Sequence, residues 1–570
     1  MFIPATKEEF SALGWEEADV ILVTGDAYID VPSSGVSVIG HVLIAAGFRV
    51  GIISQPSLDS GDDISALGEP RLYWGVSSGA VDSMVSNYNA DRTRRLHDDL
   101  TPGGKNHARP DRACIAYTGL IRRYFKNTVP IVLGGIEASL RRIAHYDYWQ
   151  NKVRRSILFD AKADILVYGM GELTMTELAH TLSREEDYRD IPGICYVSER
   201  ALDDALILPS FEEVEPHTTE GHLAFEKMFR LFYDNAIFSN KRILAQLHGS
   251  RFLIQNIPCR SLSSKELDNI YELPYERDAH PKYLALGKVR ALDTVRFSIT
   301  THRGCFGGCH FCSISVHQGR SVVSRSAESI MREALTMSKH PLFNGVISDV
   351  GGASANMYEM TCQREDGLCT RKSCVGESPC SFMKIDHSPL IELLQQLRNI
   401  PRIKHVFTAS GIRYDLIIAD SKNGKAYLNE LVGFHISGLM RIAPEHTAKS
   451  VLELMGKPDF GKLEQFRTMF EMASSHAGKK SELSYYIMAA HPGCSLSDMT
   501  YLQRTMSDGK RPIAASVQIF TPTPSTFSTL MYYTERNSFK NEPVFVEKEM
   551  GRKMKQKKAI KTFDSVKRRK

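Results

Sequence analysis

Short apolar runs alternate with helix-length segments from the start of the chain. Val20-Ile-Leu-Val-Thr, Val50-Gly-Ile-Ile-Ser, Arg71-Leu-Tyr-Trp-Gly, Val129-Pro-Ile-Val-Leu-Gly-Gly and Ala163-Asp-Ile-Leu-Val-Tyr-Gly each read as a strand, and Val36 to Ala46, stopped by Gly47, reads as a helix. Apolar strands alternating with helices predict βαβ units and a doubly wound parallel sheet covered on both faces. Ligands of open α/β sheets sit at the carboxyl ends of strands, so Gly25, Gly75, Gly134, Gly135 and Gly169 are the expected lining of any pocket, unless they serve only as tight turns. The polar stretch from Asn87 to Asp111 reads as a long insertion, which is either functional or disordered. Arg141-Arg-Ile-Ala-His-Tyr-Asp-Tyr-Trp mixes cations with aromatics and is expected to cap the sheet rather than face a polyanion.

Between Ser198 and Arg290 the pattern changes. Leu223 to Leu247 carries Phe225, Met228, Phe229, Phe232 and Ile237 at helical spacing and predicts one long amphipathic helix. The proline-bearing Gln255-Asn-Ile-Pro and Leu273-Pro-Tyr-Glu-Arg-Asp-Ala-His-Pro predict extended chain, with His280 a structural histidine ahead of a substrate contact. From residue 291 strand and helix alternate again, with strands expected at Val295–Thr300, Gly345–Val350, His405–Ser410, Gly438–Ala443, Tyr485–Ala490 and Ser516–Phe520. The chain then divides into an N-terminal α/β domain (1–200), a helical and extended linker (201–290), a second α/β domain (291–534) and a tail (535–570).

Composition changes this picture at two points. Hydrophobic content of 42% and charged content of 24% are those of an ordinary globular protein. There is no apolar run that would span a bilayer, and no basic start or apolar core of a secretion signal, so a cytoplasmic location is expected and no membrane partner. The net charge of +5 is misleading, because Lys548 to Lys570 hold eleven Lys and Arg against Glu549 and Asp564, leaving the remainder at −4. That tail is expected to be solvated and disordered, with nucleic acid as the alternative partner. Seven of the eleven cysteines lie between Cys305 and Cys380, which points to metal or cluster ligation rather than disulfides.

The chemistry concentrates in Thr301-His-Arg-Gly-Cys-Phe-Gly-Gly-Cys-His-Phe-Cys. Cys305, Cys309 and Cys312 fall on one glycine-crowded loop after an apolar run. A [4Fe-4S] cluster takes four thiolates, so three leave one iron for a non-protein ligand. A zinc knuckle or reactive thiols are the alternatives, although zinc sites show paired arms. A second group, Cys362, Cys369, Cys374 and Cys380, lies in a Gly/Ser/Pro-containing stretch with little apolar text, where zinc or an auxiliary iron–sulfur cluster would supply order, or the thiols stay reduced and unligated. His387 is the expected fifth neighbour of that group.

The spacing Cys305-x3-Cys309-x2-Cys312, with Phe311 before the last cysteine, resembles the radical S-adenosylmethionine (SAM) superfamily, and the words from Ser298 to Cys309 resemble its YgiQ-type members. Pro130-Ile-Val-Leu-Gly-Gly-Ile-Glu-Ala-Ser and Ala163 to Glu172 are similar to the N-terminal domain of the same family and, more loosely, to cobalamin-binding domains. The resemblance implies a partial (β/α)6 barrel over 291–534, a [4Fe-4S] cluster that cleaves SAM reductively to a 5′-deoxyadenosyl radical acting on an unknown substrate, and a reductant such as flavodoxin or ferredoxin. It implies that Phe311, Gly351, Gly352 and Arg441 seat SAM, with Glu445 or Ser437 at the ribose; Ala353 stands where the family commonly has an acid, and Ser525 where it has a glycine. No D-x-H-x-x-G occurs, which argues against bound cobalamin. A zinc-containing RNA-binding module and a non-catalytic iron–sulfur electron carrier are the rival readings. Neither rival uses both the cysteine loop and the residues expected around SAM.

Overall fold

A computed structural model of the chain describes residues 1–237, 241–364, 369, 373–376, 378–507, 513 and 515–561. The chain forms two compact units, residues 1–262 with 269–296, and residues 263–268 with 297–570.

The first unit is built on strands β1 (Val20–Thr24), β2 (Val50–Ser54), β3 (Tyr73–Ser77), β4 (Ile131–Gly134), β5 (His145–Asp147), β6 (Lys152–Arg154), β7 (Ile165–Val167), β8 (Ile194–Ser198), β9 (Leu206–Leu208), β10 (Leu244–His248) and β11 (Arg251–Gln255). Nine of them make one sheet in the order β2-β1-β3-β4-β7-β8-β11-β10-β9, and β5 pairs with β6 apart from it. From β2 to β7 the neighbours are parallel. Every residue of β1 and β2 is buried, as a parallel sheet covered on both faces demands. The region expected to be a linker differs. Residues 206–255 extend the sheet, because β8 pairs antiparallel with β11 and β11 with β10, and the helix Thr219–Ile237 buries Phe225, Met228, Phe229 and Phe232. His280 is structural as expected: its Nε2 lies 2.8 Å from Glu9 Oε1 and its Nδ1 accepts from the Lys282 amide at 3.2 Å.

The strand order reverses between β1 and β3, the place where ligands of such sheets bind. The insertion from Asn87 to Asp111 is folded over this edge. Arg109, fully buried, pairs with Asp26 just beyond β1 and with Asp98 at 3.2 Å, and its Nε donates to the Gly25 carbonyl at 3.2 Å. Gly75, expected in a pocket lining, instead lies inside β3, where a Cβ would come within 2.6 Å of Leu22 Cδ2.

The second unit carries β12 (Ser298–Thr300), β13 (His302–Arg303), β14 (Val323–Ser324), β15 (Val346–Ile347), β16 (Asp349–Gly351), β17 (Thr361–Cys362), β18 (Met383–Lys384), β19 (His405–Val406), β20 (Leu439–Glu445), β21 (Glu482–Ala489) and β22 (Ala515–Ile519). Each expected strand has a counterpart, but Leu292–Val295 is a helical turn and the first strand begins only at Ser298, Gly345–Val350 is split between β15 and β16, and His405–Ser410 is strand only over His405–Val406. Parallel neighbours form separate ladders, β12-β16, β15-β19 and β20-β21-β22. Helices pack one face of them: Ile299, Val350, Val406, Ile442, Ile487, Leu394, Leu428 and Phe466 share one core. On the opposite face of β20 to β22, Arg441 stands beside Ser484 and Tyr486 beside Ser516, all at least partly exposed.

The tail departs from expectation as well. Met550–Lys558 is a helix whose Gln556 is buried, accepts from the Ala490 amide at 2.9 Å and donates to the Cys494 carbonyl at 3.1 Å. Residues 562–570 of that tail lie outside the described residues. No helix among the described residues is long and apolar enough to cross a membrane.

Candidate cofactor and metal site

After β12 the Thr301 amide donates to the Gly351 carbonyl at 2.8 Å, and the antiparallel pair β13-β14 closes off a loop from Gly304 to Val322. Gly304, just before Cys305, and Gly308, just before Cys309, have φ of +84° and +60°, backbone that side chains disfavour, so these two glycines are what let the loop turn. At Gly307 a Cβ would come within 3.1 Å of Cys305 Sγ, 3.8 Å of Cys309 Sγ and 2.8 Å of Arg413 Nη1. Two sulfurs and a guanidinium thus converge on Gly307 so closely that a side chain there would collide with them. The Gly307 amide donates to Cys305 Sγ at 3.3 Å, and Arg413 Nη1 donates to Cys309 Sγ at 3.6 Å.

The far side of the loop is clamped. The His310 amide donates to the Met455 carbonyl at 2.9 Å, the Ser528 amide donates to the His310 carbonyl at 3.0 Å, and the His310 ring stacks on Phe539 with centroids 4.6 Å apart. Phe311 lies 6.3 Å from the His491 ring, with Lys457 Nζ 5.8 Å from its centre. Burial raises the Cys305 thiol and pushes Cys312 up to about 12, with the neighbouring thiols adding to both, while Lys457 opposes both rises and Arg413 that of Cys305. Thiols so placed stay neutral until a metal supplies positive charge, which deprotonates a ligating thiol outright. Among the described residues no three Cys, His, Asp or Glu side chains already stand in a metal-holding geometry. The donor chemistry, three thiols on one short loop with a guanidinium at Cys309 Sγ, nevertheless fits an iron–sulfur cluster.

Arg413 was not singled out from the sequence. It follows β19 by a few residues, at a strand's carboxyl end, where functional residues of βα folds collect, and that position was the available signal. Its guanidinium is held by Asp415, with Nε 3.1 Å and Nη2 2.7 Å from the carboxylate oxygens. Asn356 fixes its backbone from both sides, accepting from the Arg413 amide at 2.9 Å and donating to its carbonyl at 3.0 Å.

The expected SAM residues are distributed as follows. Gly351 ends β16 and Gly352 packs on His302, where a Cβ would lie 2.7 Å from both Nε2 and the backbone oxygen. Arg441 is exposed on β20 and makes no ion pair among the described residues; Ser437 is exposed just before that strand. Glu445 is buried with φ +68°, burial raises its carboxyl, and Lys457 Nζ opposes this from 3.9 Å. Phe311, Lys457 and Glu445 are therefore brought together beside the cysteine loop, with Arg441 further back on the strand that ends in Glu445. Ser525 adopts φ +63°, the backbone that makes glycine the usual residue there.

The second cysteine group lies against the first loop. Its hairpin is closed by β17-β18, the Cys380 amide donates to the Cys374 carbonyl at 2.8 Å, and Ser373 Oγ donates to the Gly307 carbonyl at 3.0 Å. Burial pushes the Cys374 thiol up to about 11, with Cys369, Cys380 and Cys362 adding to the rise and Arg320 opposing it. Cys374 and Cys380 pack with Cys305 against Phe306, Met357 and Met383. His387, expected as a fifth neighbour, is engaged elsewhere. Its ring is fully buried against Tyr427, its Nδ1 lies 2.8 Å from Asp420 and its Nε2 3.2 Å from Asn356 Nδ2.

Comparison with known proteins places this architecture. Residues 2–298 match the family described as Radical SAM N-terminal. A UPF0313 protein of Fusobacterium nucleatum subsp. nucleatum is 50% identical over 559 residues, covering 98% of each chain. A UPF0313 protein of Methanocella arvoryzae is 45% identical over 575 residues, covering 99% of this chain and 94% of that one. Among solved structures, the radical SAM methyltransferase TsrM from Kitasatospora setae with cobalamin and a [4Fe-4S] cluster bound is similar with a TM-score of 0.51 at 14% identity, over 90% of this chain and 74% of that one. The same protein with tryptophan substrate and the SAM analogue aza-SAM gives a TM-score of 0.50 at 13% identity, over 90% and 75%. The expectation against cobalamin is thereby overturned. A protein of this overall fold holds it.

Proposed function

The chain belongs to the UPF0313 family and carries the Radical SAM N-terminal family over its first half, and from that premise we propose that it is a radical SAM enzyme. The observation that carries the reading is the convergence of the Cys305 and Cys309 sulfurs and the Arg413 guanidinium at Gly307, with Cys312 on the same loop. In this reading Cys305, Cys309 and Cys312 hold a [4Fe-4S] cluster, and the ladders β12 to β22 make a partial barrel. When bound, that cluster supplies the electron that cleaves SAM reductively, and the protein's task is to bind, orient and shield.

The chain's own residues divide that task. Phe311 presents an apolar ring beside the cysteine loop, suited to an adenine. Arg441, exposed and without an ion pair among the described residues, suits a carboxylate through a two-pronged contact. Gly351 and Gly352 offer backbone where a side chain would crowd its neighbours, Ala355 and Ser410 at Gly351 and His302 at Gly352. Lys457 Nζ stands 3.9 Å from Glu445 Oε1 and 5.8 Å from the centre of the Phe311 ring. Cys362, Cys369, Cys374 and Cys380 are read as a second metal site, of zinc or iron–sulfur type, whose hairpin braces Gly307 through Ser373. No step here runs through cobalamin, and the absorption spectrum of the purified protein reads its presence directly.

Anaerobic reconstitution tests the reading. Iron- and sulfide-loaded protein with dithionite and SAM is expected to form 5′-deoxyadenosine, and Cys309→Ala to form none. Protein that shows a cluster by its spectrum yet leaves SAM intact would overturn the enzyme reading. Elemental analysis of Cys309→Ala is expected to find zinc or residual iron, and finding neither would remove the second site.

A further inference from the structure

Resting on the cluster reading above, we propose that Arg413 is a positioning residue that sets the reduction potential of the cluster held by Cys305, Cys309 and Cys312. The loop's sulfurs are served unequally. Cys305 Sγ accepts from a neutral backbone amide, that of Gly307, at 3.3 Å, whereas Cys309 Sγ lies 3.6 Å from a guanidinium nitrogen. Reduction adds negative charge to a cluster, so a fixed cation at one of its sulfurs favours the reduced state, and hydrogen bonds to the sulfurs act in the same sense.

Arg413 is built to stay there. Its side chain and that of Asp415 are 10% and 6% exposed, the Asp415 carboxylate grips Nε and Nη2, and Asn356 holds both backbone atoms. Asn356 is anchored in turn by His387 at 3.2 Å, and His387 by Asp420 at 2.8 Å. A buried ion pair is a poor device for stability, since an apolar pair of equal volume does as well or better. A cation locked this firmly against a ligand sulfur is accounted for by its effect on that sulfur. Asp415, on the far side of the guanidinium, offsets part of the positive field, so the two residues pull the potential in opposite directions.

That opposition separates an electrostatic role from a structural one. The experiment is a redox titration, followed by electron paramagnetic resonance, of reconstituted wild type, Arg413→Gln, Arg413→Lys and Asp415→Asn. Arg413→Gln is expected to lower the reduced-to-oxidised ratio at fixed potential about tenfold, a fall of about 59 mV for a one-electron couple. Arg413→Lys is expected to stay within about threefold of wild type, and Asp415→Asn to move the midpoint upward. An unchanged midpoint in Arg413→Gln, or shifts of the same sign in Arg413→Gln and Asp415→Asn, overturns the proposal. Should Arg413→Gln take up no cluster, Asp415→Asn decides alone, and a midpoint that stays or falls overturns it. Wild type that takes up no iron overturns the cluster reading and this one with it, whereas iron-loaded variants with unmoved midpoints overturn this one only.

Discussion

Asp420 is where stability and the candidate site meet. One carboxylate oxygen accepts from the His387 amide at 2.9 Å and lies 2.8 Å from His387 Nδ1; the other accepts from the Lys422 and Asn423 amides at 3.2 and 2.9 Å. Burial works against its charge, but the bonds from His387 and Asn423 prevail and hold the carboxyl down at about 2, against 3.8 for the unperturbed group. The folded value lies below the unfolded one, so the stabilisation is complete above pH 3.8 and is lost as pH falls through about 2. A depression of this size corresponds to about 2 kcal/mol at neutral pH. Asp420→Asn removes that contribution. It also turns one amide NH2 toward protein donors, leaving a buried N–H unpaired at a further cost of about 1–3 kcal/mol. The helix Ser388–Arg398, which begins at His387, reports on this locally. Hydrogen exchange of its amides, corrected for intrinsic rates, is expected to give an opening free energy lower in Asp420→Asn by about 3 kcal/mol at pH 6, with the gap narrowing by about 1.5 kcal/mol near pH 2.5, where about a third of the charge contribution remains. Parallel pH curves for wild type and variant, or a flat wild-type curve between pH 5 and 2.5, would refute the reasoning.

Three further perturbations follow from the packing. Gly352→Ala sets a methyl 2.7 Å from the His302 backbone oxygen, which cannot swing away, so urea denaturation is expected to find a loss of about 1–3 kcal/mol. Gln556→Ala leaves the Ala490 amide and the Cys494 carbonyl unpaired in a buried site; a loss of about 2–4 kcal/mol is expected, read as earlier proteolytic cutting ahead of the helix Met550–Lys558. Ser525→Gly relieves left-handed backbone at φ +63° but loses more chain entropy, so thermal unfolding is expected to place it within about 1 kcal/mol of wild type, on the stable side.

Relatives at 43–50% identity across nearly the whole chain make the family assignment independent of any single motif. The three-cysteine loop and the YgiQ-type words around it were legible before any fold was known. The cobalamin expectation failed for a related reason, since it rested on one missing motif while the fold likeness rests on 90% of the chain.

Two kinds of information were readable from the residues alone. Strands and helices were, because periods of two and of three to four positions are local and show in Val20–Thr24 or Phe225–Phe232 without reference to anything distant. The thiol chemistry was, because three cysteines within eight residues must share one small volume whatever surrounds them. Tertiary structure alone decided the rest. Residues 206–255 looked like a linker because their pairing partner is β8, and the last helix looked solvated because Gln556 is matched to Ala490 and Cys494. Arg413 stands 104 positions from Cys309, Asn356 57 from Arg413, and Asp420 33 from His387. Contacts over such separations leave no periodic trace along the chain, since what brings the partners together is the burial of other residues in between.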